Sequence, residues 1–230
     1  MKLSIIIPCF NEEKTIAKIV AKVAMFKTLE KEIIIVDDCS NDSSREIIEE
    51  ISKNNNEVQF IFQTINKGKG SAIRKGFEKA SGDIFLIQDA DLEYDPADYD
   101  ELIQPFLDTD ADVVYGSRFL GGKYVRLHFF WHYVANKILT LITNIVTNLN
   151  MTDMETGYKL FKSDAIKSID LKEKSFGIEP EMTVKLAKKK YIFYEVPISY
   201  SGRSYDEGKK IGLKDAFIAI YCIIKYKYFD

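Results

Sequence analysis

Glu32-Ile33-Ile34-Ile35-Val36-Asp37-Asp38 is a short, continuous apolar run that stops at two acids. Four β-branched residues in a row leave no polar face for solvent, so residues 32–38 read as a strand buried on both sides, as in a parallel sheet. Before it, residues 3–9 form another β-rich run. Between the two, residues 12–29 carry Ile16, Ile19, Val20, Val23 and Phe26 at helical spacing. After it the alternation continues. A helix is expected over 43–53, capped by Asp42 or Ser43, then a strand over 58–63 and a helix over 69–79. A strand over 83–88, a helix over 96–107 opened by Pro96, and a strand over 112–119 follow. Strands alternating with helices specify an α/β fold: a mostly parallel sheet flanked by helices. Such sheets bind ligands beyond the carboxyl ends of their strands. Three polar clusters fall there: Asn11-Glu12, Asp37-Asp38 and Asp89-Ala90-Asp91.

The second half has a different texture. Residues 126–149 are long and nearly uncharged, with Phe129, Phe130, Trp131 and Tyr133 at their start. Residues 153–161 read as a polar turn into a strand-like piece. Helices are expected from 163–169 and 179–189, and a strand over 191–200. A loop rich in Gly and Lys (201–210) leads to an amphipathic helix over 213–227. No repeat or low-complexity linker divides the chain, so residues 1–230 are read as one domain.

Composition narrows the function. Of 230 residues, 46% are apolar and 29% charged, which excludes a disordered chain, a collagen-like fibre and a disulfide scaffold. The net charge of −3 argues against a nucleic-acid binder. Cys9, Cys39 and Cys222 are odd in number and form no paired motif, so they read as reduced thiols in a cytosolic compartment. No signal peptide is read at the start, and no run reaches the ~20 apolar residues of a spanning helix. The nearest, 138–151, is interrupted by Thr140, Thr143, Asn144 and Thr147.

Charge is segregated along the chain. Residues 81–117 hold 11 acids and no base, whereas 113–152 hold no acid but Arg118, Lys123, Arg126 and Lys137. An acidic segment followed by basic ones suits a metal site beside an anion site; solvated faces that happen to segregate are the plainer alternative. Asp89 and Asp91, one residue apart on an extended segment, would point to the same side, with Glu93 continuing it. Mg²⁺ is commonly held by one or two carboxylates plus substrate phosphates. The competing reading is a strand end followed by a solvated acidic turn. The stretch Asn66-Lys67-Gly68-Lys69-Gly70-Ser71 is neither a P-loop nor a dinucleotide fingerprint. It reads as a tight turn between strand and helix, with Lys67 facing either a phosphate or solvent.

In this order and spacing, Ile7-Pro8-Cys9-Phe10-Asn11-Glu12, Val36-Asp37-Asp38, Asn66-Lys67-Gly68, Gln88-Asp89-Ala90-Asp91 and Gly116-Ser117-Arg118 resemble the family 2 glycosyltransferases of the GT-A (Rossmann-like) fold. Within that family the chain is similar to the dolichol- or polyprenyl-phosphate sugar transferases, of the dolichol-phosphate mannose synthase type. Thr152-Asp153-Met154-Glu155-Thr156-Gly157-Tyr158 and Gly202-Arg203-Ser204-Tyr205 also look like that subgroup. The resemblance implies a nucleotide-sugar-binding half (1–120) and an acceptor-binding half (121–230) with amphipathic interfacial helices. Pro8, Phe10, Glu12, Asp37 and Asp38 match positions that hold the nucleoside, and Lys67 and Ala90 join the nucleotide-binding set. Asp89 and Asp91 match a pair that binds Mg²⁺ or Mn²⁺, with Glu93 as a further oxygen ligand. Arg118 matches a base that meets a lipid phosphate. Arg203 and Lys209 lie in a loop resembling one that closes over the diphosphate. Phe10 stands where relatives often have Tyr, which keeps stacking but loses a hydroxyl. The extra transmembrane helices that some relatives carry after this domain are not seen in these residues.

The implied reaction is inverting transfer of a hexose from GDP-mannose or UDP-glucose to a polyprenyl or dolichyl phosphate. A phosphate monoester has a second pKa of about 6, so near neutral pH it is largely dianionic and needs little help from a base. The metal, held by Asp89 and Asp91, would offset charge on the departing diphosphate. Residues 126–149 would give access to the lipid, placing the protein at the cytoplasmic face of a membrane as a peripheral protein; a core helix or a dimer interface is the alternative reading of that segment. Homo-oligomerisation is left open. Two other classes remain: a GT-A glycosyltransferase with a soluble glycan or protein acceptor, and a non-catalytic nucleotide-sugar-binding protein.

Overall fold

The computed structural model describes residues 1–126, 129–203 and 213–230. Strands β1 (Lys2–Cys9), β2 (Glu30–Asp37) and β3 (Val58–Phe62) alternate with helices α1 (Ile16–Met25) and α2 (Ser44–Asn54). Helix α3 (Lys69–Lys79), strand β4 (Ile84–Ile87), a short 3₁₀ turn, helix α4 (Tyr99–Asp108) and strand β5 (Val113–Ser117) continue the pattern. Helix α5 (Phe130–Thr147), strand β6 (Lys159–Lys162), helices α6 (Ser163–Lys167) and α7 (Ile178–Lys188), strand β7 (Phe193–Pro197) and helix α8 (Leu213–Tyr228) complete it.

The seven strands form one sheet in the order β3-β2-β1-β4-β6-β5-β7. It is mostly parallel, as the alternation predicts; among the described strands β6 alone runs antiparallel, to both β4 and β5. Successive strand residues feed opposite faces. Ile5, Ile7, Ile33 and Ile35 pack on one side with Ile16, Ile19 and Leu102, while Ile6, Ile34 and Val36 pack on the other with Ile73, Phe77 and Ile178. The four-residue apolar core of β2 is therefore shared between two helical layers, which is why it carries no polar alternation.

Several elements are shorter than their hydrophobic pattern suggests. Residues 12–15 form a turn, with Thr15 and Ile16 donating backbone N–H groups to the Glu12 carbonyl, and α1 starts only after it. Helix α5 begins at Phe130 and is closed by Asn148 in the left-handed conformation (φ 59°). Before it, Arg126 pairs its backbone N–H with the Tyr200 carbonyl at 2.8 Å, so the aromatic helix starts later than residue 126.

Helix α5 is amphipathic in an unusual sense. Its buried face carries Asn136, Leu139, Thr140 and Thr143, and its exposed face carries Phe130, Trp131, Ile138, Leu141 and Ile145. The polar face goes inward because it has partners there: Asn136 donates to Asp153 at 2.9 Å, and the Thr140 hydroxyl accepts from the Met154 backbone N–H at 3.1 Å. Helix α8 exposes Phe217, Tyr221, Ile224 and Tyr228. Among the described residues, no helix is long and apolar enough to cross a membrane.

Candidate active site at the carboxyl edge of the sheet

The ends of β1, β2 and β4 bring the predicted acids to one edge. Asp37 is fully buried; it accepts from Arg45 Nε at 2.6 Å and the Ser40 N–H at 3.1 Å, while its Oδ1 has no hydrogen-bond partner among the described residues. Asp38 has a structural task that its sequence position does not reveal. Its carboxylate accepts from Gln63 Nε2 (2.9 Å), Lys67 N–H (2.8 Å) and Gly68 N–H (2.6 Å), and so holds the turn before α3. Gly68 has φ 93°, and a Cβ there would lie 2.5 Å from the Lys174 carbonyl oxygen, so that turn requires glycine. Lys67 is exposed; Pro8 and Phe10 are half-buried at the end of β1.

The acids after β4 lie on a turn, which corrects the extended segment expected there: Ala90 and Asp91 are turn residues and Leu92 is left-handed (φ 65°). The turn folds Glu93 back beside Asp91. Burial first, then the charges of Asp89 and Glu93, push the Asp91 carboxyl up to about 7, against the pull of Arg203. Two cations sit on these acids. Lys69 Nζ bridges Asp89 (2.8 Å) and Glu179 (3.0 Å). Arg203 meets Asp91 at 2.8 Å, Glu12 at 3.4 Å and Glu93 at 3.5 Å. Glu93 also accepts from the Tyr200 hydroxyl at 2.8 Å and the Arg203 N–H at 2.8 Å.

Among the described residues, no group of three or more acids, histidines or cysteines is arranged as a metal cage. An ion bridging phosphates needs only one or two carboxylates. Among the described residues, five carboxylates (Glu12, Asp89, Asp91, Glu93 and Glu179) share Lys69 and Arg203 as ion-pair partners, so the donor set is rich in anionic oxygen and fits a hard divalent cation.

Across the edge, beyond β5, Arg118 is not a free base. Its Nε and one terminal nitrogen form a bidentate pair with Asp153 at 2.6 and 2.7 Å, and its guanidinium lies 5.0 Å from the Tyr200 ring centroid. Burial disfavours its charge, but Asp153 outweighs that and keeps Arg118 firmly protonated. Arg126 donates to the Gly202 carbonyl at 3.0 Å. Lys209 and the rest of the expected lid from residue 204 to residue 210 lie outside the described residues.

A loop between α5 and β6 joins the two sides. Asp153 holds Arg118 at its start; at its end Gly157 lies so close to Asp89 that a Cβ there would come within 2.5 Å of Oδ2. The Gly157 N–H donates to the Tyr94 hydroxyl at 2.8 Å. Lys159 is fully buried in β6; its ammonium donates to the carbonyls of Met154 and Thr156 and faces the Tyr115 ring. Burial first, then Glu179, push the Glu155 carboxyl up to about 8, opposed by Lys159 and Arg118. Sequence reasoning missed Lys69, Asp153, Glu155, Lys159 and Glu179 as site residues. Asp153 and Glu155 lay within a quoted motif, but nothing in their spacing marked them as partners of Arg118 or of the acids.

The glycosyl transferase family 2 model matches residues 4–170. The chain is 30% identical over 215 residues to the dolichol-phosphate mannosyltransferase of Pyrococcus furiosus, covering 92% of this chain and 60% of that protein. It is 28% identical over 223 residues to the undecaprenyl-phosphate mannosyltransferase of Micrococcus luteus, covering 92% and 88%. Its fold is similar to that of glucosyl-3-phosphoglycerate synthase from Mycobacterium tuberculosis, solved with Mn²⁺, UDP and glucosyl-3-phosphoglycerate (TM-score 0.75, 17% identity, 98% of this chain and 79% of that one). A structure of the same synthase with Mg²⁺ and UDP superposes with a TM-score of 0.71 at 17% identity, covering 98% and 79%.

Proposed function

The chain belongs to glycosyl transferase family 2, and from that premise we propose that it transfers a hexose from GDP-mannose or UDP-glucose to a polyprenyl or dolichyl phosphate, with inversion. The observation that carries this reading is the pairing, at one sheet edge, of the acidic turn 89–93 with the buried Arg118–Asp153 pair. The names of the two mannosyltransferase relatives support the acceptor class.

Asp89 and Asp91 would hold Mg²⁺ or Mn²⁺, with Glu93 beside them; the ion's chemistry is to neutralise charge on the departing diphosphate. Arg203 already sits on Asp91 and Glu12, and can turn its fork toward a diphosphate oxygen. Pro8, Phe10 and Asp37 border the space for the nucleoside, with the unpartnered Asp37 Oδ1 supplying an acceptor for a base N–H. Arg118, locked in orientation by Asp153, supplies a fixed positive charge for the acceptor phosphate. Tyr200, against the guanidinium, limits how far it can move. The outward aromatic faces of α5 and α8 are suited to a membrane interface, where aromatic rings sit at headgroup level. These faces support the reading of a peripheral protein at the cytoplasmic leaflet.

The test is transfer from radiolabelled GDP-mannose and UDP-glucose in the presence of polyprenyl phosphate. Label in the organic phase supports the proposal. Label in water-soluble product means another acceptor, and tight donor binding without transfer means a binding protein.

A further inference from the structure

The loop from Asp153 to Gly157 spans the two charged sides of the site, and its middle holds two polar atoms without partners. Among the described residues, Glu155 Oε1 and Thr156 Oγ1 are both buried and find no hydrogen-bond partner. Thr156 is fully buried and Glu155 half-buried. A buried polar atom without a partner costs about 1–3 kcal/mol, and native proteins satisfy nearly all such atoms. Two adjacent ones between a donor-side acid and an acceptor-side base suggest that their partner arrives with the substrate.

The chemistry of the surroundings restricts that partner. Glu179 and Asp153 place negative charge near Glu155, and Lys159 and Arg118 place positive charge. A second anion would meet two acids there. A neutral hydroxyl suits either state of the carboxyl, donating to it when ionised and accepting from it when protonated. Thr156 offers a hydroxyl that can do either. In a nucleotide sugar, the part between the diphosphate and the attacking acceptor is the sugar ring with its hydroxyls. Gly157 abuts Asp89 on the diphosphate side, and Asp153 holds Arg118 on the acceptor side.

We propose that Glu155, with Thr156 beside it, hydrogen-bonds a hydroxyl of the transferred hexose and is a specificity-determining residue of this enzyme. The proposal rests on the donor and acceptor sides as read above. A site built to bond a hydroxyl rejects an analogue lacking it, because its own buried group is then left unpaired.

The test compares each bare nucleoside diphosphate with its hexose conjugate by calorimetry in Mg²⁺: GDP with GDP-mannose, and UDP with UDP-glucose. In the unaltered protein the hexose should add affinity. Glu155→Ala should lower affinity for the preferred conjugate about tenfold, the loss of one buried hydrogen bond, and leave the bare diphosphate within about twofold. Removing an orphan group should leave the unliganded melting temperature unchanged or raised. If the unaltered protein binds no nucleoside diphosphate, the donor-site reading fails and takes this proposal with it. If it binds both forms but the conjugate-to-diphosphate ratio is the same in Glu155→Ala, this proposal alone is overturned. Should Glu155→Ala not fold, monodeoxy conjugates on the unaltered protein decide. Equal affinity for every monodeoxy form overturns the proposal, and an about tenfold loss for one of them supports it. A Glu155→Gln protein that melts well below the unaltered one with the same ratio would make the side chain structural and also overturn it.

Discussion

Asp153→Ala should destabilise the protein more than any single change in the exposed acids. Asp153 is fully buried and accepts three hydrogen bonds from Arg118, at 2.6, 2.7 and 3.2 Å, and one from Asn136 at 2.9 Å. Truncating it leaves the Arg118 guanidinium charged and uncompensated, with a side chain only 14% exposed. Breaking a buried pair from one side costs about 3–5 kcal/mol. At ~2–4 °C per kcal/mol for a chain of this size, the melting temperature should fall by roughly 6–20 °C. The acid limb of stability changes too. Burial raises the Asp153 carboxyl, but the Arg118 charge and hydrogen bonds outweigh that and hold it below its ordinary value. Its stabilisation is therefore present above about pH 4, the unfolded value, and is lost as pH falls toward the folded one. The variant should lack that part of the acid slope. Urea unfolding followed by circular dichroism at pH 7 and pH 3 measures both effects. A loss below about 1 kcal/mol at pH 7 would refute the buried-pair argument. Replacing both partners, Asp153→Leu with Arg118→Met, should restore most of the stability, since an apolar pair removes the desolvation cost. It should not restore transfer; full transfer by the double variant would remove Arg118 from the acceptor site.

Asp91→Ala should abolish transfer, and excess EDTA should do the same until Mg²⁺ or Mn²⁺ is returned; full activity in EDTA would sink the metal assignment. Arg203→Ala should lower kcat by at least tenfold, measured at saturating donor, because one charge-assisted contact to a diphosphate oxygen is lost. Glu32→Gln should cost about 1–3 kcal/mol at pH 7. Burial raises that carboxyl, but hydrogen bonds from Ser4, Ser81 and Lys2 outweigh it and bring it down to about 2. Its stabilisation is then full above about pH 4 and disappears as pH falls toward 2, so urea midpoints of variant and unaltered protein should converge in acid.

The parallel core was legible because buried parallel strands leave a local mark: residues 33–36 and 84–87 are apolar throughout, and both belong to strands that lead into site acids within two residues. The place of β6 was not. Its four residues, Lys159–Lys162, carry no sign of direction, and its antiparallel insertion between β4 and β5 depends on partners 44–78 residues away in sequence. Lys159 reads as surface yet is fully buried, because its ammonium finds two carbonyls and an aromatic face inside. The acids of the site were visible as types at strand ends, while their counterions were not. Lys69 meets Glu179 across 110 positions, and Arg203 meets Asp91 across 112, separations that no spacing rule covers. The turn at 90–92 was misread as extended for a related reason: the left-handed Leu92 carries no Gly or Asn to announce it.

The inverted face of α5 links these two levels. A helix that buries Asn136 and Thr140 and exposes Trp131 and Leu141 looks wrong for a water-soluble surface. It is consistent once the inward polar groups are followed. Asn136 bonds Asp153, Asp153 holds Arg118, and the Thr152 and Asp153 N–H groups are held by Glu195 on β7 at 2.9 and 3.2 Å. The apolar outer face of the helix and the base proposed for the acceptor phosphate are thus joined through one buried side chain. A lipid whose tail lies along the outer face of α5 would present its phosphate at a height set by the helix itself. Positioning of this kind asks little flexibility of Arg118, and its bidentate, aromatic-backed geometry permits little.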